Sequence, residues 1–344
     1  MNTLSSHAQA LDLQLVEAPL ASGPLLTVIV PFYNETAVLA QCHRRLLEVL
    51  QQEVARSAEH FEILYIDDGS SDESWQLLVA EMGVVHGVDI RAIKLSRNFG
   101  KEAAMCAGLD LARGQCAILL DADLQDPPEL IPKMLQQWRQ GYDVVDMRRT
   151  SRQGESWFKR FSAAAYYKLI NRLSDIEIPE NVGDFRLLDR KVLEALKRLP
   201  ERSRYMKGLF AWPGFKRKTL DFDRCERLAG ETKWHYAKLL HLAFEGITSF
   251  STKPLRMATF AGLACALCAA LTAAFVVLKT AIFGDPVAGF PTVVSLILML
   301  GGVQLLAIGL IGEYLGRLFI EAKQRPVYLV MEELELSAQE EKNS

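Results

Sequence analysis

Residues 116–126 read CAILLDADLQD, so a short apolar run ends in two aspartates one residue apart. The run has the length and composition of a buried strand. Two carboxylates this close repel each other, and partial burial raises the cost. A divalent cation bound between Asp121 and Asp123 would compensate for the repulsion. The stretch therefore predicts a strand that ends at a metal site.

Four further strand-like runs surround this one and alternate with helical patterns. Strands are predicted at 25–31, 61–67, 90–95, 116–121 and 143–148, and helices at 36–57, 71–82, 101–113 and 127–140. This alternation predicts an α/β fold built on a parallel, doubly wound sheet with helices on both faces. Ser70 with Glu73, and Asp126 with Glu129, have the spacing of helix-capping boxes, and Pro127 suits a first helical position. Asp126 is therefore interpreted as a helix cap.

The bulk composition excludes several classes of function. The 344 residues are 50% hydrophobic and 24% charged, with a net charge of −3, which does not indicate nucleic-acid binding. Of six cysteines, Cys265 and Cys268 form a CxxC within an apolar run, which favours helix packing over metal or redox chemistry. The sequence contains no GxxxxGK[ST] motif and no GxGxxG after the first strand, which counts against a P-loop ATPase and a dinucleotide-binding oxidoreductase.

Two long uncharged segments predict a transmembrane hairpin. Residues 257–278 and 286–312 carry no charged side chain, and each is longer than the ~20 residues needed to cross the hydrocarbon core. We place the spans at about 257–281 and 288–314. Basic residues precede the first span and follow the second, at the ends that lie away from the connecting turn. The positive-inside rule therefore puts these ends and the α/β domain in the cytoplasm. These flanking residues are Lys253, Arg256, Arg317, Lys323 and Arg325.

The remaining segments complete the predicted organisation. A flexible tail covers 1–24, an α/β domain 25–232, the hairpin 256–318 and a cytosolic tail 319–344. Basic amphipathic helices are predicted near 156–173 and at 233–255, where they either lie in the membrane interface or pack on the sheet. A water-soluble domain held at a membrane in this way suits an enzyme that joins a soluble reactant to a lipid-borne one.

Polar clusters are expected to meet at one edge of the sheet. PFYNE (31–35), DDGSSD (67–72), SRNFGK (96–101), DADLQD (121–126) and MRRTSR (147–152) each follow a predicted strand. Ligands of open parallel sheets bind at the carboxyl ends of the strands. In an extended chain Asp121 and Asp123 point to the same side, and their hard oxygens suit Mg²⁺ or Mn²⁺ shared with substrate phosphates. The alternative is a pair of solvated loop carboxylates.

Taken in order, several stretches resemble the motifs of one enzyme family. They are PFYNE, DDGSSD, SRNFGKEAA, DADLQDP, NVGDFRLLDR, AGETKW and SFSTKPLR, followed by the hairpin and GGVQLLAIGLIGEYLGR. Over nearly all of residues 25–330 the chain resembles family 2 glycosyltransferases of the polyprenyl-phosphate type, above all the bactoprenol-phosphate glucosyltransferases. The resemblance implies a GT-A (Rossmann-like) glycosyltransferase domain and an inverting transfer of a sugar from a nucleotide sugar to a lipid phosphate.

The resemblance also implies roles for individual residues. The donor-binding set is Pro31, Tyr33, Glu35, Asp67, Asp68, Lys101 and Asp121. The metal set is Asp121, Asp123 and Gln125, with Asp123 as the main ligand of Mg²⁺ or Mn²⁺. The catalytic set is Asp123, Arg149, Asp184 and Arg186, of which the last two fall in an acceptor-side motif. Basic residues expected to meet the acceptor phosphate are Arg149, Lys159, Arg160, Arg227 and Lys233. For Lys159 and Arg160, contact with anionic lipid headgroups is an equal alternative.

The substrates implied are UDP-glucose and undecaprenyl or another polyprenyl phosphate, used for cell-envelope glycan modification at the bacterial inner membrane. GDP-mannose or a UDP-aminoarabinose derivative is the alternative donor. Assembly into a homo-oligomer is left open. A processive polysaccharide synthase is a rival, but GETKW stands where a QxxRW-type motif would be sought, and only two spans are present. A non-catalytic, membrane-anchored nucleotide-sugar-binding protein is the rival outside enzymology.

Overall fold

The structure is a computed structural model that describes most of the α/β region and the segment after the predicted first span. It describes residues 23–150, 182–199, 201–202, 206–223 and 289–337, with isolated positions between 255 and 282. The predicted tail 1–24, apart from its last two residues, and the predicted helices near 156–173 and at 233–255, apart from 255, lie outside these residues.

Eight strands in the described residues form one sheet in the order β7-β5-β6-β4-β1-β2-β3-β8. They are β1 (Leu26–Phe32), β2 (Phe61–Asp67), β3 (Val88–Leu95), β4 (Cys116–Leu119), β5 (Val144–Arg149), β6 (Val182–Asp189), β7 (Arg217–Phe222) and β8 (Val330–Leu336). All seven residues of β1 and of β2 are buried, as expected for central parallel strands that are covered on both faces.

Six helices pack on the faces of this sheet, as the strand–helix alternation predicts. They are α1 (Leu39–Ser57), α2 (Ser74–Glu81), α3 (Lys101–Leu111), α4 (Ile131–Arg139), α5 (Arg190–Lys197) and α6 (Met206–Ala211). Apolar side chains of α1, α2 and α4 share one core cluster with the sheet. Those of α3, α5 and α6 share the other, so α1 and α3 lie on opposite faces. A longer helix, α7 (Phe290–Lys323), belongs to neither core cluster of the described residues.

The sheet is mixed, which differs from the parallel sheet predicted. The four strands β4, β1, β2 and β3 are parallel to one another. Strand β6 runs antiparallel between β4 and β5, and β8 runs antiparallel along β3. Neither strand was predicted, because β6 contains several charged residues and β8 lies in a segment interpreted as a tail. Strand β6 matters for the site, since it brings Asp184 beside the other strand ends.

Neither predicted capping box forms. Helix α2 begins at Ser74 without a side-chain cap, and the Oγ of Ser70 instead accepts a hydrogen bond from the backbone N–H of Asn34. The chain after Asp126 enters a 3₁₀ turn, Pro128–Leu130, before α4, and this turn also lacks a side-chain cap. Consecutive prolines explain the difference, because a residue that precedes proline is disfavoured in helical geometry. Asp126 is buried, and Pro127 rather than Asp126 occupies the N-cap position of this turn.

Helix α7 contains most of the second predicted span. Within the described residues, one helical segment, Met299–Lys323, is long and apolar enough to cross a membrane. Large apolar side chains along it are exposed, including Leu305, Ile308 and Leu315. Glu313 and Arg317, which are four residues apart near the end of the predicted span, form an ion pair at 3.6 Å. The first predicted span is described only at isolated positions, which are helical.

A network of charges joins β8 to the centre of the sheet. Arg91 on β3 is buried, and its guanidinium donates to Glu62 at 2.8 Å and to Glu333 of β8 at 2.9 Å. Arg113 pairs with Glu335 through two hydrogen bonds of 2.5 and 3.1 Å, and its backbone N–H donates to Glu62 at 3.1 Å. The acidic strand therefore balances two arginines at the edge of the sheet.

We expect Glu62→Gln to lower the free energy of unfolding by about 3–5 kcal/mol, because it leaves the buried charge of Arg91 without its buried partner. Glu333→Gln is the matched control and should cost at most about 1 kcal/mol, since the Glu333 side chain is 46% exposed. Denaturant unfolding of the full chain in one detergent measures both values. Equal losses in the two variants would contradict this account of the network.

Candidate active site

A cleft of about 390 Å³ opens at the carboxyl ends of the central strands. It brings together seven residues that the sequence predicted for the site: Pro31, Tyr33, Glu35, Asp68, Lys101, Asp121 and Asp123. These come from four loops that are far apart in the chain. They meet because parallel strands place their carboxyl ends at one edge of the sheet. Asn98 and Gly100 also line the cleft and were not predicted individually, although both belong to the quoted SRNFGK stretch.

The PFYNE and DDGSSD loops are held together by short polar contacts. The backbone N–H of Asn34 donates to Ser70 at 3.0 Å, and the Asn34 side-chain oxygen accepts from the N–H of Ser71 at 2.9 Å. The N–H of Glu35 donates to Ser74 at 2.9 Å. Asn34 has a φ of 53°, a left-handed conformation that asparagine tolerates better than most residues. These contacts fix the wall of the cleft that holds Tyr33 and Glu35.

The two aspartates that end β2 have different environments. Asp68 lines the cleft, and its carboxylate accepts the N–H groups of Phe99 and Gly100 at 2.8 and 2.9 Å. Burial raises the pKa of Asp68, and these two hydrogen bonds oppose the shift. Asp67 is fully buried and accepts the N–H of Ser70 at 2.8 Å, and burial raises its pKa also. Asp68 therefore joins β2 to the start of α3, whereas Asp67 stabilises the turn beneath the cleft.

The paired acids Asp121 and Asp123 lie in a turn rather than in the extended chain that was predicted. Strand β4 ends at Leu119, whereas the predicted strand ran to residue 121. The two acids therefore lie beyond the strand and do not share one of its faces. The Asp123 carboxylate accepts the N–H of Gln125 at 3.1 Å, and Leu124 has a φ of 56°. This local hydrogen bond is typical of aspartate in turns. Both acids nevertheless line the same cleft.

The ammonium group of Lys101 bridges two carboxylates at the cleft. Its Nζ lies 2.7 Å from Asp121 and 2.7 Å from Asp184 of β6. Partial burial lowers the pKa of Lys101, but the two neighbouring carboxylates outweigh burial and raise the pKa above its ordinary value. The side chain is 47% exposed, so substrate can reach it. Lys101 was predicted to bind the donor, and its role as the counter-ion of two acids was not foreseen.

Arg186 is placed apart from the cleft. Only 2% of its surface is exposed, and its guanidinium donates to the carbonyl of Gly183 at 2.6 Å. It also lies 3.4 Å from the Asp146 carboxylate and 4.1 Å from the ring centroid of Phe210. Burial lowers the pKa of Arg186, and Asp146 opposes the shift. These contacts describe a residue that joins β6 to β5 and α6, so a positioning role suits it better than contact with substrate.

Arg149, at the end of β5, lies against the backbone of β6. A Cβ added to Gly183 would lie 3.3 Å from Nη2 of Arg149, so glycine allows the arginine to approach this closely. The preceding Arg148 points the other way and pairs with Asp221 at 2.6 Å. Arg149 does not line the cleft of about 390 Å³. The other predicted acceptor contacts, Lys159, Arg160, Arg227 and Lys233, lie outside the described residues.

The oxygen ligands that the cleft offers suit a divalent cation that is shared with a substrate. In the part of the chain that the structure describes, no group of three or more His, Cys, Asp or Glu side chains could hold a metal alone. Asp121 and Asp123 supply two carboxylates to one cleft, and Mg²⁺ is typically bound by one or two carboxylates together with water and phosphate oxygens. Gln125, half-buried in the same turn, could supply an amide oxygen.

Comparison with known proteins found two family models that match this chain. Residues 27–197 match the model of glycosyl transferase family 2, and residues 253–318 match that of the GtrB C-terminal hairpin. An uncharacterized glycosyltransferase of Synechocystis sp. is 48% identical over 305 residues, covering 89% of this chain and 94% of the relative. A prophage bactoprenol glucosyl transferase homolog of Escherichia coli is 43% identical, with 89% and 98% covered. The bactoprenol glucosyl transferase of Shigella phage SfV is 42% identical, with 90% and 98% covered.

These relatives are matched over nearly their whole length, and the matched family 2 segment contains the four loops that line the cleft. The GT-A-like α/β fold predicted from the sequence is confirmed. The chain belongs to glycosyl transferase family 2 and is a glycosyltransferase.

Proposed function

We propose that the protein transfers glucose from UDP-glucose to the phosphate of undecaprenyl or another polyprenyl phosphate, with inversion at the sugar. The observation that carries the proposal is the single cleft in which seven predicted donor and metal residues meet. The acceptor class is supported by relatives named bactoprenol glucosyl transferase, which are 42–43% identical to this chain. Glycosyl transfer to a polyprenyl phosphate is the core of the proposal, and glucose is its more specific part.

The acceptor supplies its own nucleophile in this reaction. A phosphate monoester has a second pKa of about 6, so its oxygens are largely ionised at neutral pH. The phosphate oxygen can attack the anomeric carbon without a general base. None of the described residues that line the cleft is a histidine, which is consistent with this chemistry. The protein must instead hold two anionic substrates close together and in line.

The charged groups of the cleft suit that task. Tyr33 and Glu35 belong to the loop proposed to hold the nucleoside, and Asp68 fixes this region to the start of α3. Lys101 presents an ammonium group at the place where the donor diphosphate would lie, next to Asp121. When bound by Asp121 and Asp123, Mg²⁺ or Mn²⁺ would neutralise charge on the leaving diphosphate.

The C-terminal part of the chain supports the proposed membrane arrangement. Residues 253–318 match a hairpin model, and the Met299–Lys323 helix is long enough to span a membrane. Together they support the two predicted spans, at about 257–281 and 288–314. The basic residues at the outer ends of the hairpin favour a cytoplasmic catalytic domain at the bacterial inner membrane. This orientation would give the cleft access to cytosolic nucleotide sugars and to a lipid phosphate.

The direct test incubates the purified full chain with polyprenyl phosphate and a panel of nucleotide sugars, and identifies the product by mass. We expect a hexosyl polyprenyl phosphate with UDP-glucose and little product with GDP-mannose or a UDP-aminoarabinose derivative. Preference for another donor would support transfer to the polyprenyl phosphate but show that the sugar is not glucose. Nucleotide-sugar binding without product from any donor would favour the non-catalytic alternative.

Asp123→Ala is expected to lower kcat by about 10²–10³-fold, because it removes charge stabilisation of the transition state. Chelation by EDTA should bring the wild-type enzyme to a similar level, and Mg²⁺ or Mn²⁺ should restore it. Asp221→Asn is the matched control, since Asp221 is exposed on β7 and pairs with Arg148. Substantial activity in Asp123→Ala, or indifference to EDTA, would refute the metal role.

Lys101→Gln is expected to lower kcat/KM for the nucleotide sugar by about 10–100-fold, because a hydrogen bond to a charged group contributes about 1.5–3 kcal/mol. Loss of the ammonium also leaves Asp121 and Asp184 uncompensated beside an anionic donor. Lys101→Arg keeps the charge and should lose less. Steady-state kinetics with varied donor measures the effect, and an unchanged kcat/KM in Lys101→Gln would show that Lys101 does not meet the diphosphate.

A further inference from the structure

A second cavity lies where the apolar helix meets the α/β domain. Its volume is about 460 Å³, which exceeds the 390 Å³ of the donor cleft. One wall is the start of α3, with Phe99, Glu102 and Ala103. The other wall is the last turn of α7 and the residues after it, and Arg202 closes one side. No role was predicted for this cavity from the sequence.

The first turn of α3 separates this cavity from the donor cleft. Lys101 and Ala104 line the cleft, whereas Glu102 and Ala103 line the second cavity. Successive residues of an α-helix are rotated by about 100°, so the two pairs lie on different faces of the helix. A ligand in the second cavity is therefore divided from Asp121 by a turn of helix, and it would not be the acceptor that attacks the sugar.

The second cavity has an excess of positive charge. Among the described residues that line it, Arg202, Lys323 and Arg325 are cationic and Glu102 is the one acid. The Arg202 guanidinium donates to the backbone carbonyls of Arg325 at 2.8 Å and Gln324 at 3.2 Å. These bonds fix the end of α7 against the α/β domain. Such a cavity favours an anion over a neutral or cationic ligand.

The same cavity also has an apolar surface beside its cationic residues. Phe319 and Ile320 line the same cavity and are 58% and 50% exposed. They belong to the last two turns of the candidate span Met299–Lys323, whose final residue is itself one of the cations. In a spanning helix these positions lie at the depth of the lipid headgroups. An amphiphile with an anionic head and apolar chains matches both surfaces, whereas free phosphate matches only one.

We propose that this cavity binds the phosphate headgroup of an anionic membrane phospholipid, with Lys323 and Arg325 at the phosphate and the acyl chains beside Phe319 and Ile320. The bound lipid would hold the end of α7 against the start of α3, the helix that presents Lys101 to the donor cleft. The proposal concerns lipid binding and does not require that the chain transfers glucose.

The test titrates the detergent-purified full chain with phosphatidylglycerol or phosphatidylcholine and counts bound lipids by native mass spectrometry. We expect phosphatidylglycerol to bind and phosphatidylcholine to bind far more weakly. Lys323→Gln combined with Arg325→Gln should weaken phosphatidylglycerol binding by about 30-fold, or about 2 kcal/mol, since each basic residue near an anionic lipid contributes about 1 kcal/mol. Lys323→Arg combined with Arg325→Lys keeps both charges and should bind as the wild type does.

Arg44→Gln combined with Arg56→Gln is the matched control, because it removes two exposed charges from α1, on the opposite face of the sheet. If this control weakened phosphatidylglycerol binding equally, the loss would reflect the net charge of the protein and not a specific site, and the proposal would be wrong. Displacement of phosphatidylglycerol by millimolar glycerol phosphate would indicate a site for free phosphate. Displacement by equimolar polyprenyl phosphate would make the cavity an acceptor site. Either displacement would contradict the proposal, whatever the outcome of the transferase assays.

Discussion

The site depends on the concentration of negative charge at one edge of a sheet. Asp68, Asp121, Asp123 and Asp184 come from three different strand ends, and the ammonium of Lys101 bridges two of them. Lys101 is the first residue of α3, where the helix dipole disfavours a cation. The two carboxylates outweigh that penalty. The ammonium of Lys101 thus neutralises the repulsion between Asp121 and Asp184 at the cleft to which the proposed donor diphosphate and metal ion would bring further charge.

Helix α3 connects the features on which the function depends. Its start is fixed by Asp68, which accepts the N–H groups of Phe99 and Gly100. One face of its first turn lines the donor cleft, and the next face lines the cavity at the end of α7. Near its other end, the Tyr328 hydroxyl donates to Asp110 at 3.2 Å, which ties the chain after α7 to the same helix. A change in the position of the apolar helix therefore has a short physical route to the residues proposed to bind the donor.

The sequence predicts that four loops meet at one cleft, because the rule behind that prediction is simple. Alternating strands and helices imply parallel strands, and parallel strands bring PFYNE, DDGSSD, SRNFGK and DADLQD to one edge. Details that depend on local turns were missed. Leu124 takes a left-handed conformation and two prolines follow Asp126, so the acids lie in a turn and Asp126 is buried. No pattern of apolar residues records such geometry.

Residues that depend on distant partners were also beyond sequence reasoning. Arg186 resembles a catalytic arginine by motif, yet it is buried against Asp146 of a neighbouring strand. A signal existed in both strands, because Asp146 stands within VVDM and Arg186 within FRLL, and charges within such short apolar runs often pair. Strand β8 was interpreted as a charged tail. Its alternation of Glu333, Leu334, Glu335 and Leu336 is strand-like, but the arginines that explain the glutamates lie far away in the chain.

Strand β8 also has a consequence for biogenesis. Glu333 follows its partner Arg91 by 242 positions, and the apolar helix lies between them. As the chain emerges from the ribosome, the outer edge of β3 stays open until that helix has been made and has found its place. An open strand edge invites pairing with other chains. A chain arrested before Val330–Leu336 is made would thus leave the edge of β3 open to pairing with another chain, and β8 covers this edge in the complete sheet.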